Sequence, residues 1–155
     1  MTISTKIILD VDTIPRVDID FMNNTHFEEV EMVKDLGELI TAYQKQGTCT
    51  ENEKTQITTL LENWLEHTQA HFSRENELMI EINFPAYSIH FSEHEAALSK
   101  ITDIIGTWKI DGNIDPVAEF IFFFWPAWFD GHVNSMDMMT AKIAVMGGYD
   151  PYTQS

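Results

Sequence analysis

Between residues 64 and 82 of this 155-residue chain, Trp64, His67, His71, Glu75, Leu78 and Ile82 follow one another at steps of three or four. That period places all six on one stripe of an α-helix. The apolar members turn the stripe inward, so two imidazoles and a carboxylate enter the core with them. Burying such groups unpaired costs on the order of a few kcal/mol each. A fold that accepts this stripe must supply partners or a metal ion.

Three further helices are legible around it. The first is expected from Asp20 to Gln46, stopped by Gly47, because glycine takes the left-handed backbone that ends a helix. Thr50 with Glu53 is a capping box, so the second helix begins there and runs to about Ile82, where Asn83-Phe84-Pro85 ends it. The third is expected from near Pro85, with Leu98, Ile101, Ile105 and Trp108 in register with His90 and His94. Asp111-Gly112-Asn113 is turn chemistry, and Asp115-Pro116 reads as a cap with proline at the first position of a fourth helix ending at Gly147-Gly148. Pro126 falls inside that helix and predicts a kink. Four helices with short links pack most simply as an all-α, up-down-up-down four-helix bundle. The expected division is an irregular N-terminal arm over 1–20, the bundle over 21–147 and a loose tail over 148–155.

Composition narrows the partners. With 25 acidic against 9 basic side chains the formal charge is −16, which repels nucleic-acid backbones and anionic membrane surfaces. No stretch approaches the ~20 apolar residues of a membrane span, and the N-terminal segment lacks the long apolar run of a signal peptide. A single cysteine, Cys49, makes no internal disulfide and fits a reducing compartment. The expectation is a cytoplasmic protein.

Histidines and carboxylates recur on each expected helix: His26 on the first, His71 and Glu75 on the second, His90 and His94 on the third, His132 and Asp137 on the fourth. A pair four residues apart projects from one helical face. Two imidazoles so spaced on an apolar stripe build a metal site more readily than a dry core. Seven ligands are too many for one ion and suit two, and imidazole with carboxylate suits iron. Ferritin-like carboxylate enzymes require Glu-x-x-His, a spacing this chain lacks. Asp137 lies five residues after His132, off the face of an ideal helix, so a locally widened turn is expected around Gly131 to Met136.

Three blocks carry a resemblance to a known family. They are His71-Phe72 followed by Glu75 and Leu78-Met79, then Phe84-Pro85 leading into His90 and His94, and then Trp128-Phe129-Asp130-Gly131-His132-Val133 with Asp137. Together with His26 they resemble the hemerythrin family, and its bacterial members in particular, over about residues 20 to 140. The resemblance implies two iron ions bridged by Glu75, Asp137 and an oxo or hydroxo group. His90, His94 and His132 would bind one iron. His26 and His71 would bind the other, whose open position would take O2. Phe72, Trp125, Trp128, Phe129 and Val133 are the expected lining of a dry O2 pocket. Val133 stands where the family has isoleucine, which would enlarge that pocket.

Two further departures concern the surroundings of the ligands. Met22-Asn23-Asn24-Thr25 replaces the family's Ile-Asp-x-Gln before the first histidine, and His67 occupies a position usually aromatic. His67 reads as a buried histidine in place of that aromatic ring, or as a hydrogen-bonding support, a pH-sensitive group or a spare ligand. The resemblance implies reversible O2 binding for transport, storage or sensing, without catalysis. The alternatives are a di-iron oxidase, peroxidase or nitric-oxide-handling enzyme on the same bundle, and an iron-responsive module that shows a surface to a protein partner.

Overall fold

The structure, a computed structural model, describes residue 10 and residues 12–152. Its four helices are α1 (Asp20–Gln46), α2 (Glu51–Glu81), α3 (Tyr87–Asp111) and α4, a continuous helical run over 114–146. Successive helices pack against each other and α4 closes back on α1, the up-down-up-down order of a four-helix bundle.

Local chemistry sets the ends. Gly47 and Gly112 take left-handed backbone (φ 73° and 66°) and donate their N–H groups to Tyr43 O and Trp108 O, satisfying carbonyls that the helix ends leave free. At Thr50 the capping box is complete: its hydroxyl accepts from Glu53 N–H, and the Glu53 carboxylate accepts from Thr50 N–H. Two starts differ from expectation. α3 begins at Tyr87 and not at Pro85, because Phe84 to Ala86 form a turn first. α4 is capped by Asn113, whose side chain accepts from Asp115 N–H, so the helix begins at Ile114 and Pro116 falls at its third position.

α4 is not uniform. It passes from Ile114–Glu119 through a widened π turn at Phe120–Phe124, an α segment Trp125–His132, a second π turn at Val133–Asp137, and a last α segment Met138–Met146. The first π turn precedes Pro126, which has no N–H to give and whose ring crowds the preceding turn. Trp125 N–H reaches back five residues to Phe120 O, and this wider turn carries the chain past the proline without a break into two helices.

The amino-acid pattern divides the bundle along its length. Leu36 and Ile40, Ile57 and Leu61, Ile101, Ile105 and Trp108, and Val117 and Ile121 fill the end where α1 and α3 finish. A fully buried aliphatic side chain there contributes roughly 1.5–3 kcal/mol. This apolar half stabilises a bundle whose other half is filled with polar groups. Half of the expected N-terminal arm, residues 1–9 and 11, lies outside the described residues. Its described part is pinned by Asn23, whose side-chain carbonyl accepts from Val17 N–H and whose amide donates to Val17 O, both at 2.8 Å. The tail is tighter than expected, since Asp20 N–H donates to Pro151 O at 2.8 Å. That bond fastens the chain end to the first turn of α1, and residues 153–155 lie outside the described residues.

Candidate metal centre

All seven expected ligands meet in the half of the bundle where α1 and α3 begin and α2 and α4 end, and none is more than 3 % exposed. They form two groups that share their carboxylates: Glu75, His90, His94, His132 and Asp137 in one, and His26, His71, Glu75 and Asp137 in the other. Within each group one ligand atom per residue lies within 4.8 Å of every other. The second π turn of α4 makes this convergence geometric. Met138 N–H bonds back to Val133 O, and the additional residue in the turn brings Asp137 inward on the side of His132, 3.2 Å from its Nε2. The widened turn expected around Gly131 to Met136 thus occurs at Val133–Asp137.

The three-histidine group is oriented from outside. His90 Nδ1 meets Thr140 Oγ1 at 2.9 Å, His94 Nδ1 meets Asn76 Oδ1 at 2.9 Å, and His132 Nδ1 meets Glu93 Oε1 at 2.8 Å. The Thr140 hydroxyl gives its own hydrogen to Met136 O, so each of these oxygens accepts and each Nδ1 carries the hydrogen. In the neutral rings the Nε2 lone pairs therefore face one another, 3.2 Å apart for His90 with His132 and for His94 with His132. Lone pairs that close repel unless a cation lies between them. Ligands roughly 2.1 Å from a common metal at right angles would be about 3 Å apart, close to this spacing. Thr140, Asn76 and Glu93 escaped the sequence reading, although Thr140 and Asn76 sit on helix faces adjacent to expected ligands.

The two-histidine group is less tied. His26 Nε2 lies 3.0 Å from Asp137 Oδ2 and 3.6 Å from Glu75 Oε2, without hydrogen-bond alignment, and His26 Nδ1 has no hydrogen-bond partner. His71 Nε2 is 2.8 Å from Glu75 Oε2. Glu75 Oε1 and both Asp137 oxygens are buried without a hydrogen bond. Buried carboxylate oxygens are rarely left so. This donor set, unsatisfied at its centre and satisfied at its rim, fits metal binding.

Electrostatics within the cluster follow from burial opposed by neighbours. Burial disfavours a proton on His71, but the charge of Glu75 and the nearby Glu29 push its pKa up to about 10. Burial likewise opposes the proton of His90, and Asp137 and Glu75 override it to about 9. For His94 burial prevails and lowers the pKa. Burial would raise Glu75, yet the His71 charge and hydrogen bonds from histidines hold it well below the usual carboxylate range. For Asp137, burial and Glu75 act upward and are outweighed by His132 and His26, so it too is depressed.

The aromatic residues divide between the two groups. Phe129 stands edge-on to His26 at 5.6 Å between ring centroids, and Phe72 lies 5.0 Å from His71 while stacking flat on His94 at 4.0 Å. Trp125 is buried against Phe129 and Trp64, and Val133 is fully buried. Trp128 is half-buried and stacks on His132 at 4.5 Å, on the three-histidine side. His67 is not among the convergent ligands. Its Nδ1 bonds Glu29 Oε2 at 2.8 Å and its Nε2 bonds Glu28 Oε2 at 3.1 Å. The replacements before His26 also acquire a role: Asn23 holds the arm, while the Thr25 hydroxyl donates to Phe21 O and accepts from Arg74 of α2.

A four-helix bundle with a buried cluster of five histidines and two shared carboxylates defines a protein whose core could hold metal ions. The chain is hemerythrin-like. It is 27 % identical over 122 residues to a bacteriohemerythrin of Aquifex aeolicus (strain VF5), covering 79 % of this chain and 86 % of that one. It is 28 % identical over 119 residues to a bacteriohemerythrin of Ralstonia nicotianae (strain ATCC BAA-1114 / GMI1000), covering 72 % and 85 %. No family model matches the chain, and no solved structure matches it. Among the described residues no helix is long and apolar enough to cross a membrane.

Proposed function

We propose that this chain is a di-iron protein that binds molecular oxygen reversibly, to carry, store or sense it. The observation that supports this reading best is the asymmetry of the two ligand groups about Glu75 and Asp137, with three histidines on one side and two on the other. One ion would have one protein ligand fewer, and that is where a small ligand enters. Two ferrous ions held there would supply the electrons for reversible oxygen binding.

The residues of the chain have three tasks in this scheme. His90, His94 and His132, aimed by Thr140, Asn76 and Glu93, would hold one ion rigidly. Glu75 and Asp137, common to both ligand groups, would be shared between the two ions. Phe129 and Phe72, against His26 and His71, keep water from the open position, with Trp125 and Val133 packed in the same core. No protein acid or base is required. We take the bundle over 21–147 as the functional unit. The single cysteine and the charge of −16 support a cytoplasmic protein whose ligand is O2 rather than nucleic acid or membrane.

The test is the visible spectrum of protein loaded with Fe2+, reduced and freed of excess reductant, recorded under argon, in air and under argon again. A band that appears in air and fades under argon, with the ferrous state recovered, supports the carrier reading. A stable diferric spectrum with no reversible stage would overturn it in favour of an oxidase or peroxidase. Failure to take up iron would remove the di-iron reading altogether.

A further inference from the structure

Glu29 is a fully buried carboxylate of α1 that belongs to neither ligand group. Its Oε1 accepts from the Thr68 hydroxyl at 2.7 Å, and its Oε2 accepts from His67 Nδ1–H at 2.8 Å. The other nitrogen of His67 meets the Glu28 carboxylate at 3.1 Å, so His67 donates from both nitrogens and holds Glu29 in one orientation. So arranged, Oε1 of Glu29 lies 3.9 Å from His71 Nδ1. That nitrogen is buried and has no hydrogen-bond partner.

The other half of the centre shows what is missing. His90, His94 and His132 each have an oxygen on Nδ1, and each presents Nε2 inward. His71 instead has its Nε2 engaged by Glu75 at 2.8 Å. Once that Nε2 turns to a metal, the ring's hydrogen sits on Nδ1 and needs an acceptor in a place closed to water. A shift of about 1 Å would bring Nδ1 to the usual N–H···O distance from Glu29.

We propose that Glu29 is the positioning residue of His71: its carboxylate, fixed by Thr68 and His67, receives the Nδ1 hydrogen and aims Nε2 at the two-histidine half of the metal centre. The inference deepens the di-metal reading and rests on it. His67 thereby acts at one remove, as the clamp on Glu29, and its place on the ligand stripe is explained without ligation. A role confined to joining α1 to α2 would affect folding alike with and without metal. The proposed role affects one of two metal equivalents.

The experiment is a titration of the metal-free protein with Co2+, followed by its visible ligand-field absorption, for the wild type and Glu29→Gln. In the variant, His67 claims the carbonyl oxygen, so the amide NH2 falls toward Thr68 and His71 and opposes the Nδ1 hydrogen. The wild type is expected to bind two equivalents. Glu29→Gln is expected to bind one with unchanged affinity and the other about 10- to 100-fold more weakly, with an altered spectrum for that equivalent. Equal affinities for both equivalents in the two proteins would overturn the inference and leave the di-metal reading intact. Equal weakening of both equivalents together with early melting of the metal-free variant would assign Glu29 to the fold alone. A wild type that binds fewer than two equivalents would remove the di-metal reading. Should Glu29→Gln fail to fold, Glu29→Asp, which keeps the charge but shortens the arm, is expected to show the same selective loss.

Discussion

Without a cation, the centre of this bundle carries a defect whose size follows from its atoms. Four donor atoms at the centre, His26 Nε2, Glu75 Oε1 and the two Asp137 oxygens, are buried and have no hydrogen bond. Each unsatisfied buried group costs about 1–3 kcal/mol. The low end applies, because His26 and His90 still lie 3.0 Å from Asp137 and attract it when protonated. The sum is therefore about 4 kcal/mol, a large share of the roughly 5–15 kcal/mol that stabilises an ordinary domain. At about 2–4 °C per kcal/mol for a chain of this size, the metal-free protein should melt some 8–16 °C below the loaded one. Thermal unfolding followed by far-UV circular dichroism, in chelator and in excess Fe2+ under argon, measures the difference. A shift below about 3 °C would mean that the centre is already satisfied without a cation, and the reasoning from buried donors would fail.

Thr140→Val keeps the shape of the side chain but leaves His90 Nδ1–H without its acceptor at 2.9 Å. We expect a loss of about 1–3 kcal/mol in stability and about 10- to 100-fold weaker binding of the metal equivalent on the three-histidine side, both read from the same melts and titrations. In the metal-free protein, His71 and His90 hold protons up to about pH 10 and 9. Metal uptake at pH 7 should therefore release about two protons, measurable by calorimetry in buffers of different ionisation enthalpy, and affinity should rise with pH. Because both pKa values are raised in the folded state, their contribution to metal-free stability is full below pH 6.5 and is lost as pH climbs through 9 to 10. Melts across that range check the sign. Phe129→Leu removes the ring edge from His26 and should shorten the life of the oxygenated spectrum about tenfold as water enters, at a stability cost of about 1 kcal/mol.

Periodic features carried across from sequence to structure well. The apolar stripes, the glycine stops at Gly47 and Gly112 and the capping box at Thr50 are local rules, and each is realised where the residues stand. Six of the seven expected ligands converge because helix periodicity fixes which side chains share a face, and Asp137 joins them through the widened turn at Val133–Asp137. Features that depend on contacts between helices were not legible. Glu29 follows His26 by three residues on the same buried face, yet in the sequence it is one acid among 25. Its burial depends on His67 and Thr68 of another helix. The start of α4 lies two residues before the expected one because Asn113 and Asp115 are both competent caps, and only the realised turn selects between them. The five-residue step from His132 to Asp137 signals its widened turn, whereas Pro126 by itself signals a kink and is accommodated by the widened turn at Phe120–Phe124.

A π turn is an α turn that has absorbed one residue while the helix on either side keeps its place. The span from Val133 to Asp137 therefore behaves as an insertion written into the helix, and single-residue substitutions cannot undo it. Removing the exposed Asn134 would restore a four-residue step between histidine and aspartate and an unbroken ladder, and the last segment, Met138–Met146, would hold its register against the other helices. Length, more than residue identity, then determines how the carboxylate common to both ligand groups is delivered. Chains built on the same site can thus differ by one position in their final helix, and a comparison that forbids gaps inside helices would align every ligand but the last.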